Sequence, residues 1–260
     1  MDFRNLASRR RPQRACPPMS ESLALNVEEA EEALNRLTIV FDRRRQVGDQ
    51  IYDALRSAIV SLRLPPGASI SENRICRQIG VSRTPIRAAI IRLVEDGLIE
   101  VFPQKGSFVA PIKLSAVRNN HFIRKALEIA VLRRACAAWA PDVAARSRQI
   151  LMRQTAALAD GDVDRFHELD EALHRSFCSA ATLEGVWSTI QIAKARVDRV
   201  HRLASTPGRL RLVVAEHGDI LDALDAGDPA RAAERLDHHL ERAPAIMETL
   251  MVSHKQYFVE

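Results

Sequence analysis

Proline and glycine residues divide this 260-residue sequence into short segments up to residue 111 and into long segments after it. The breaks fall at 64–67, Gly80, Gly97, 103–106, Pro111, Pro141, Gly161, Gly185, 207–208 and 227–229. Proline removes an amide donor and glycine permits turns, so each break ends a helix or joins two strands. The sequence therefore predicts two regions built from elements of different length.

Three helices and a hairpin are predicted in the first region. Ile51, Leu55 and Ile59 recur at helical spacing and predict the first helix. The residues suited to cap the next two helices are Ser71 and Gly80 for the second, and Ser82 and Gly97 for the third. Residues 98–101 and 107–110 then alternate around a turn at 103–106, as two strands of a hairpin do. This order of elements predicts a winged helix-turn-helix over residues 43–111.

The charge of the chain is concentrated in that first region. Residues 43–113 hold 12 Lys and Arg against 6 Asp and Glu, whereas residues 114–260 hold 20 of each. A basic module joined to a neutral one indicates a polyanion-binding region attached to something else, although a solvated basic face is the alternative. Residues 1–42, rich in arginine and proline at their start, are predicted to form a flexible leader.

The third helix has the composition of a helix that reads DNA. Arg83 and Arg87 lie four residues apart and share a face, with Thr84 between them. Arginine can bond bidentately to the edge of guanine, while Ser82 and the first amides of the helix suit phosphates. In the wing, Lys105 and Gly106 let the backbone approach a duplex closely. We therefore expect double-stranded operator DNA as a partner.

Long amphipathic helices are predicted after Pro111, near 114–139, 142–160, 162–180, 183–204, 207–226 and 229–252. Six helices in this length favour an antiparallel six-helix bundle over residues 114–252, so the fold class is mainly α. No apolar run approaches a membrane span, and four separated cysteines suit a reducing compartment, so we expect a cytoplasmic protein with no membrane partner. The sequence has no nucleophile, nucleotide-binding or zinc-hydrolase motif, which argues against an enzyme.

An aspartate and several histidines of the second region have a spacing that suits a metal ion. Asp170 and His174 lie four residues apart on one helix face, His217 follows on a later helix, and His238 and His239 lie on the last. An Asp and three imidazoles from separate helices can enclose one divalent ion per chain. We expect zinc, with nickel, manganese or iron as alternatives. Exposed or hydrogen-bonded histidines are the other interpretation.

Residues 46–111 closely resemble the DNA-binding domain of GntR-family transcriptional regulators. The matching segments are QIYDALR at 50–56, LPPG at 64–67, ISE at 70–72, VSRTPIR at 81–87 and LVEDGLI at 93–99. The resemblance implies that Arg83, Thr84 and Arg87 contact the operator, with Gly106 at the wing tip. The family usually has an arginine directly after Glu72; here Asn73 holds that place and Arg74 follows, so we count both as candidates.

Residues 117–241 are similar to the FCD ligand-binding domain of the FadR branch of that family. The matching segments are IRKALE at 123–128, LDEALH at 169–174, EHGDILDAL at 216–224, GD at 227–228 and HL at 239–240. The resemblance implies the metal ligands Asp170, His174, His217 and His239, because the family places the last ligand directly before Leu240. Six helices instead of seven point to the VanR-like subgroup.

The FCD resemblance also implies a function for the metal site. A small organic or sugar acid would fill the open positions of the metal, and Arg124 is the candidate for binding a second acid group. The protein is then a homodimeric repressor that releases DNA when the acid binds, with activation as an alternative. Two further readings stay open here, a purely structural metal and a metal-dependent hydrolase fused to a DNA-binding domain.

Overall fold

A computed structural model describes residues 32, 34 and 37–260 of the chain. Its first region contains three helices and a three-stranded antiparallel sheet. The helices are α1 (Val47–Val60), α2 (Glu72–Ile79) and α3 (Arg83–Glu95), and the strands are β1 (Ser69–Ile70), β2 (Ile99–Phe102) and β3 (Gly106–Val109). The sheet order is β1-β3-β2, and Val101 of β2 lies opposite Ser107 of β3. The predicted helices and hairpin are present within about two residues; strand β1 was not predicted.

Local capping explains where α2 and α3 begin and end. The Ser71 hydroxyl accepts a hydrogen bond from the Arg74 amide at 3.3 Å, and Gly80 ends α2 with a left-handed φ of 68°. Ser82 occupies the N-cap position of α3, but its side chain makes no capping hydrogen bond. The Ser82 hydroxyl is therefore not committed to closing the helix that it precedes.

The core of the first region is aliphatic and includes residues upstream of α1. Ile51, Ile86 and Leu93 are fully buried in it. Leu34 and Leu37 are buried in the same cluster, at 2% and 6% exposure. Residues 1–31, 33, 35 and 36 of the predicted leader lie outside the described residues. The leader predicted over 1–42 therefore contains residues that pack, because two of its leucines are buried in the aliphatic core of the first region.

The second region is a helical bundle. Its helices are α4 (Leu114–Ala137), α5 (Pro141–Ala159), α6 (Val163–Ala180), α7 (Glu184–Leu203), α8 (Pro207–Asp225), α9 (Pro229–Leu240) and α10 (Arg242–Ser253). Helix α4 packs against α7 and α9, and α5 packs against α6 and α8. The mainly α fold class is confirmed. Among the described residues, no helix combines the length and the apolar character that crossing a membrane requires.

One predicted helix of the bundle is divided. The segment predicted as one helix over 229–252 forms α9 and α10, with the break at Glu241. Pro244 has no amide hydrogen, so it cannot donate to the Leu240 carbonyl, where α9 ends. The bundle therefore has seven helical segments. The six helices on which the VanR-like assignment rests are obtained when α9 and α10 are counted as one.

Helix α7 connects the bundle to the first region. Its Ala195 is buried in the core cluster of that region. The Arg196 guanidinium donates two hydrogen bonds to the carbonyl of Asp96, at the end of α3, at 2.9 and 2.7 Å. A side chain at Gly97 would collide with Arg196, since a Cβ there would lie 2.3 Å from its terminal nitrogen. The end of α3 is thus held directly by α7.

A second connection is made by two short strands. Strand β4 (Ile112–Lys113), in the segment that joins the two regions, pairs in parallel with β5 (Phe258–Val259). A short 3-10 helix, Lys255–Tyr257, precedes β5. The segment between the regions is therefore tied to the part of the chain that follows α10.

Candidate functional site

Four buried side chains meet in the interior of the bundle. Asp170 and His174 come from α6, His217 from α8 and His239 from α9, and one ligand atom from each lies within 4.8 Å of the others. All four are buried, with exposures from 0 to 7%. The structure thus brings together the four residues that the sequence nominated, while the neighbouring His238 is exposed.

Each of the three histidines is held from behind through its Nδ1 atom. His174 is bonded to Glu128, His217 to the Gln154 amide oxygen at 2.8 Å, and His239 to Glu216 at 2.9 Å. An acceptor on Nδ1 fixes the proton there and leaves Nε2 as the ligand atom, which is the outer-shell pattern of metal-binding histidines.

The Nε2 atoms give a direct test of whether the site suits a cation. Those of His174 and His217 are buried and have no hydrogen-bond partner among the described residues. A buried nitrogen lone pair without a donor is costly, and a metal ion would satisfy it. Three imidazoles and one carboxylate form a donor set typical of zinc and related divalent ions. The residues present therefore fit a metal ion.

The protonation states also suit metal binding. Burial lowers the pKa of His217 well below its ordinary value and that of His239 to about 4, so both imidazoles are neutral at pH 7. Burial would raise the pKa of Asp170, but its neighbours, Lys194 foremost and Arg124 among them, together lower that pKa well below its ordinary value and keep the carboxyl ionised. Metal ligands must be deprotonated, and these three residues are so before any ion arrives.

A buried network of charges surrounds the ligands. Lys194 of α7 donates to Asp170 Oδ2 at 2.9 Å and to Asp198 at 2.9 Å. Arg124 of α4, at 1% exposure, pairs with Glu128 at 2.5 Å, and Glu128 in turn holds His174. Arg124, the predicted effector residue, therefore lies inside the bundle and is linked to His174 through Glu128.

A small pocket leads to the ligands from one side. Asp170 and His239 line it together with His167, His201 and Arg209. Its apolar wall consists of Phe166, Ala204, Leu210, Val213 and Ile246. Arg209 pairs with Glu216, which also holds His239. A small anion that entered here would meet one carboxylate ligand, one imidazole ligand and a guanidinium.

The predicted DNA-binding residues lie on the exposed side of α3. Ser82, Arg83, Thr84 and Arg87 are exposed, whereas Ile86 on the opposite side of the helix is fully buried. The Arg87 side chain is 71% exposed and has a single loose contact, 3.4 Å from Glu72 of α2. Both arginines are therefore accessible to a duplex.

The other predicted contacts lie on α2 and at the wing. Asn73 is exposed and directly follows Glu72, the residue that contacts Arg87 of α3, while Arg74 is half-buried. Lys105 and Gly106 are exposed where β2 turns into β3. Gly106 has a φ of 109°, a conformation that other residues rarely adopt, so glycine is needed to form this tip.

Several residues of the site were not found from the sequence. Three of them lie far along the chain from the candidate ligand to which each is bonded: Gln154 from His217, Glu216 from His239 and Lys194 from Asp170. Glu216 stands directly before His217, and Glu128 stands four residues after Arg124, but neither position distinguishes a buried partner from a surface charge. Only the packing of the helices reveals these contacts.

Comparisons with known proteins agree with this architecture. Residues 47–109 match the family described as "Bacterial regulatory proteins, gntR family", and residues 121–242 match the "FCD domain". The chain is 34% identical over 218 residues to the HTH-type transcriptional repressor RspR of Escherichia coli (strain K12), covering 82% of this chain and 94% of the relative. It is 38% identical over 191 residues to an HTH-type transcriptional regulator of Streptomyces ambofaciens, covering 73% and 80%.

Solved structures share the fold. E. coli McbR/YncC superimposes with a TM-score of 0.72 at 21% identity, covering 79% of this chain and 98% of that one. A GntR regulator from Rhodococcus sp. RHA1 does so with a TM-score of 0.64 at 24% identity, covering 78% and 97%. Together with the sequence relatives, these matches identify the chain as a DNA-binding transcriptional regulator of the GntR family with an FCD domain, and not as an enzyme.

Proposed function

We propose that this regulator is a repressor whose affinity for operator DNA is set by a small organic or sugar acid bound at a metal ion in the FCD domain. The observation that carries the proposal is the buried set of Asp170, His174, His217 and His239, in which two Nε2 atoms have no hydrogen-bond partner among the described residues. A relative of similar length, RspR, carries the name of a repressor.

The metal would be one divalent ion per chain, held by the Asp170 carboxylate and three Nε2 atoms. Zinc suits three imidazoles and a carboxylate best, and nickel, manganese or iron are alternatives. When bound, the ion supplies a positive charge and open coordination positions for an oxygen ligand. Glu128, Gln154 and Glu216 keep the imidazoles oriented toward it.

The acid would enter through the pocket beside Asp170 and His239, where Arg209 offers a positive charge. Arg124 remains the candidate for a second acid group. Among the described residues its guanidinium makes one hydrogen bond, from Nε to Glu128, so its two terminal amino groups have donors to spare. A guanidinium with two parallel donors suits a carboxylate well.

Helix α7 offers a physical route from this site to the DNA-binding residues. Lys194 on α7 binds the ligand Asp170, and two residues later Arg196 holds the last turn of α3 through the Asp96 carbonyl. An acid that shifted Asp170 would disturb Lys194 and, through the same helix, the seat of α3. Coupling of this kind is typically about 1–3 kcal/mol.

DNA reading would use Arg83, Thr84 and Arg87 on base edges, with Ser82, Asn73, Arg74, Lys105 and Gly106 near phosphates. Two copies of the chain would bind two half-sites as a homodimer, as helix-turn-helix proteins commonly do. A regulator of this kind works where the operator is, which we take to be the cytoplasm.

Metal analysis of the purified chain, followed by operator-binding assays with candidate acids, tests the proposal. We expect one divalent ion per chain, and at least one acid that weakens operator binding about 5- to 150-fold. His217→Ala should lose both the ion and the response, whereas the exposed neighbour His238→Ala should keep both. An ion whose removal unfolds the protein, together with no acid that shifts melting or DNA binding, would show a structural metal instead.

A further inference from the structure

A cavity of about 460 Å³ lies between the wing and the FCD domain, away from the metal ligands. One wall comes from α3 and β2, with Val94, Gly97 and Val101, and the other from α4 and α7. The cavity is open to solvent on one side, and Val94 and Val101 on its wall are 37% and 56% exposed. The volume lies within the range of pockets that bind small molecules.

Three cations line this cavity: Lys113 and two arginines of α7, Arg196 and Arg199. Arg199 is only 2% exposed; one of its amino groups donates to the Ala110 carbonyl at 2.6 Å, and its Nε has no hydrogen-bond partner among the described residues. Within the described part of the chain, neither arginine pairs with a carboxylate. Glu100, the acid on the cavity wall, is already paired with Lys113 at 2.6 Å.

The other deeply buried cations of the molecule show how unusual this is. Arg124 is paired with Glu128, and Lys194 with Asp170 and Asp198. A buried charge without a counter-charge is strongly unfavourable. Burial and the neighbouring Arg196 lower the pKa of Arg199 to about 9, which still leaves it a cation at pH 7. Arg199 therefore lacks the anion that its environment requires.

We propose that this cavity is a second ligand site, separate from the metal centre, which binds an amphipathic monoanion: a carboxylate on an aliphatic or aromatic body. The carboxylate would pair with Arg199 and Arg196, and the apolar body would cover Val94, Val101 and Val117. Charge complementarity selects an anion, and the valine-lined walls select an apolar body over a sugar acid.

Binding here would reach the DNA-binding residues directly. The ligand would touch the last turn of α3 at Val94 and Gly97 and the wing strand β2 at Val101 and Phe102. These are the elements that carry Arg87 and the wing tip. The occupied site therefore adds a second input to operator affinity, which does not depend on the metal.

Calorimetric titration of the full metal-loaded chain with octanoate tests this site, with octan-1-ol as the neutral probe of matched size. We expect octanoate to bind more tightly than octan-1-ol, by about tenfold or more, because a hydrogen bond between two charged groups is stronger than one to a neutral hydroxyl. Arg199→Gln should weaken octanoate roughly tenfold or more, and Arg118→Gln, an exposed arginine on α4, should leave it unchanged.

A second variant on a different element guards against misfolding of the first. Ala116 of α4 lines the cavity, so Ala116→Phe should obstruct it and weaken octanoate binding, while the exposed Ala137→Phe should not. Equal binding of octan-1-ol, octanoate binding that is unchanged in both cavity variants, or no octanoate binding in the millimolar range would overturn the proposal.

Discussion

The two regions of this molecule keep their polar residues in opposite places. The DNA-binding region has an aliphatic interior, with Gln50 as its one buried polar side chain among the described residues, and exposes Arg83 and Arg87 of α3. The FCD domain buries the other twelve polar or charged side chains of the described chain, the metal-site residues among them. A DNA-binding surface needs accessible cations, whereas a site that captures an ion needs a dry interior with satisfied partners.

This contrast teaches where each region can tolerate change. Arg87 on α3 is held by one loose contact with Glu72, so replacing it should alter DNA binding and leave folding intact. Buried polar residues of the FCD domain hold one another, so replacing one should disturb its partners as well.

A substitution on the exposed side of α3 should change DNA binding without changing the stability of the fold. Arg87→Ala should weaken operator binding by about 1–3 kcal/mol, because a bidentate contact with a base edge is lost, and should leave the melting temperature unchanged. Binding to random DNA should weaken far less. Gel-shift titrations on operator and random duplexes measure both losses, with Arg146→Ala, an exposed arginine of α5, as the control. Equal losses of affinity on the two duplexes would show that Arg87 contacts phosphates and not base edges.

A substitution in the interior of the FCD domain should change the affinity for the metal ion. Gln154→Met keeps the size of the side chain but removes the oxygen that holds His217 Nδ1, so metal affinity should fall about 10- to 100-fold. Competition with a chromophoric chelator measures this change. Gln149→Met, at an exposed glutamine of the same helix, should have no effect. An unchanged affinity in Gln154→Met would mean that the imidazole needs no outer support.

The DNA-binding region has one polar contact with a predictable pH dependence. Tyr52 donates to Asp96 at 2.5 Å, and burial together with this bond raises its pKa from 10 to about 12. The neutral phenol is favoured in the folded state, so its stabilisation is complete below pH 10 and is lost as the pH rises through 12. The loss should be about 1 kcal/mol, because solvent screens a half-buried group.

Chemical denaturation between pH 9 and pH 12, about the range that brackets this titration, measures that change in the free energy of unfolding. Tyr52→Phe removes the titrating group, so its difference from the unaltered chain should shrink as the pH rises. If the difference in the free energy of unfolding between Tyr52→Phe and the unaltered chain stays constant with pH, another group causes the alkaline sensitivity. The contrast between a first region with few buried polar contacts and an FCD domain with many would then be weaker.

The elements of the fold were predictable because their boundaries are local. Gly80 and the prolines at 64–67 end elements by backbone chemistry alone, and the helix predictions needed nothing from the rest of the chain. The break at Glu241 was missed because the prediction of one helix over 229–252 did not take Pro244 into account. Leu34 and Leu37 were missed because an arginine- and proline-rich start suggested that the whole leader is unpacked.

The metal-site prediction could go only as far as its residue types. Asp170 and His174 are four residues apart on one helix face, and His239 was separated from His238 by the family resemblance. The partners that hold these histidines depend on which helices pack together, which periodicity does not report. Arg199 illustrates the same limit, since nothing in its local sequence distinguishes a buried unpaired guanidinium from a surface one.

Helix α7 contacts both regions, with Lys194 bonded to Asp170 and Arg196 bonded to the end of α3. If an acid bound beside Asp170 is coupled to DNA binding as proposed, the coupling acts in both directions. If the acid weakens the operator complex by some factor, the operator must weaken acid binding by the same factor. A regulator seated on its operator would therefore need a higher concentration of the acid than the free protein does, so the threshold for release is set partly by the DNA itself.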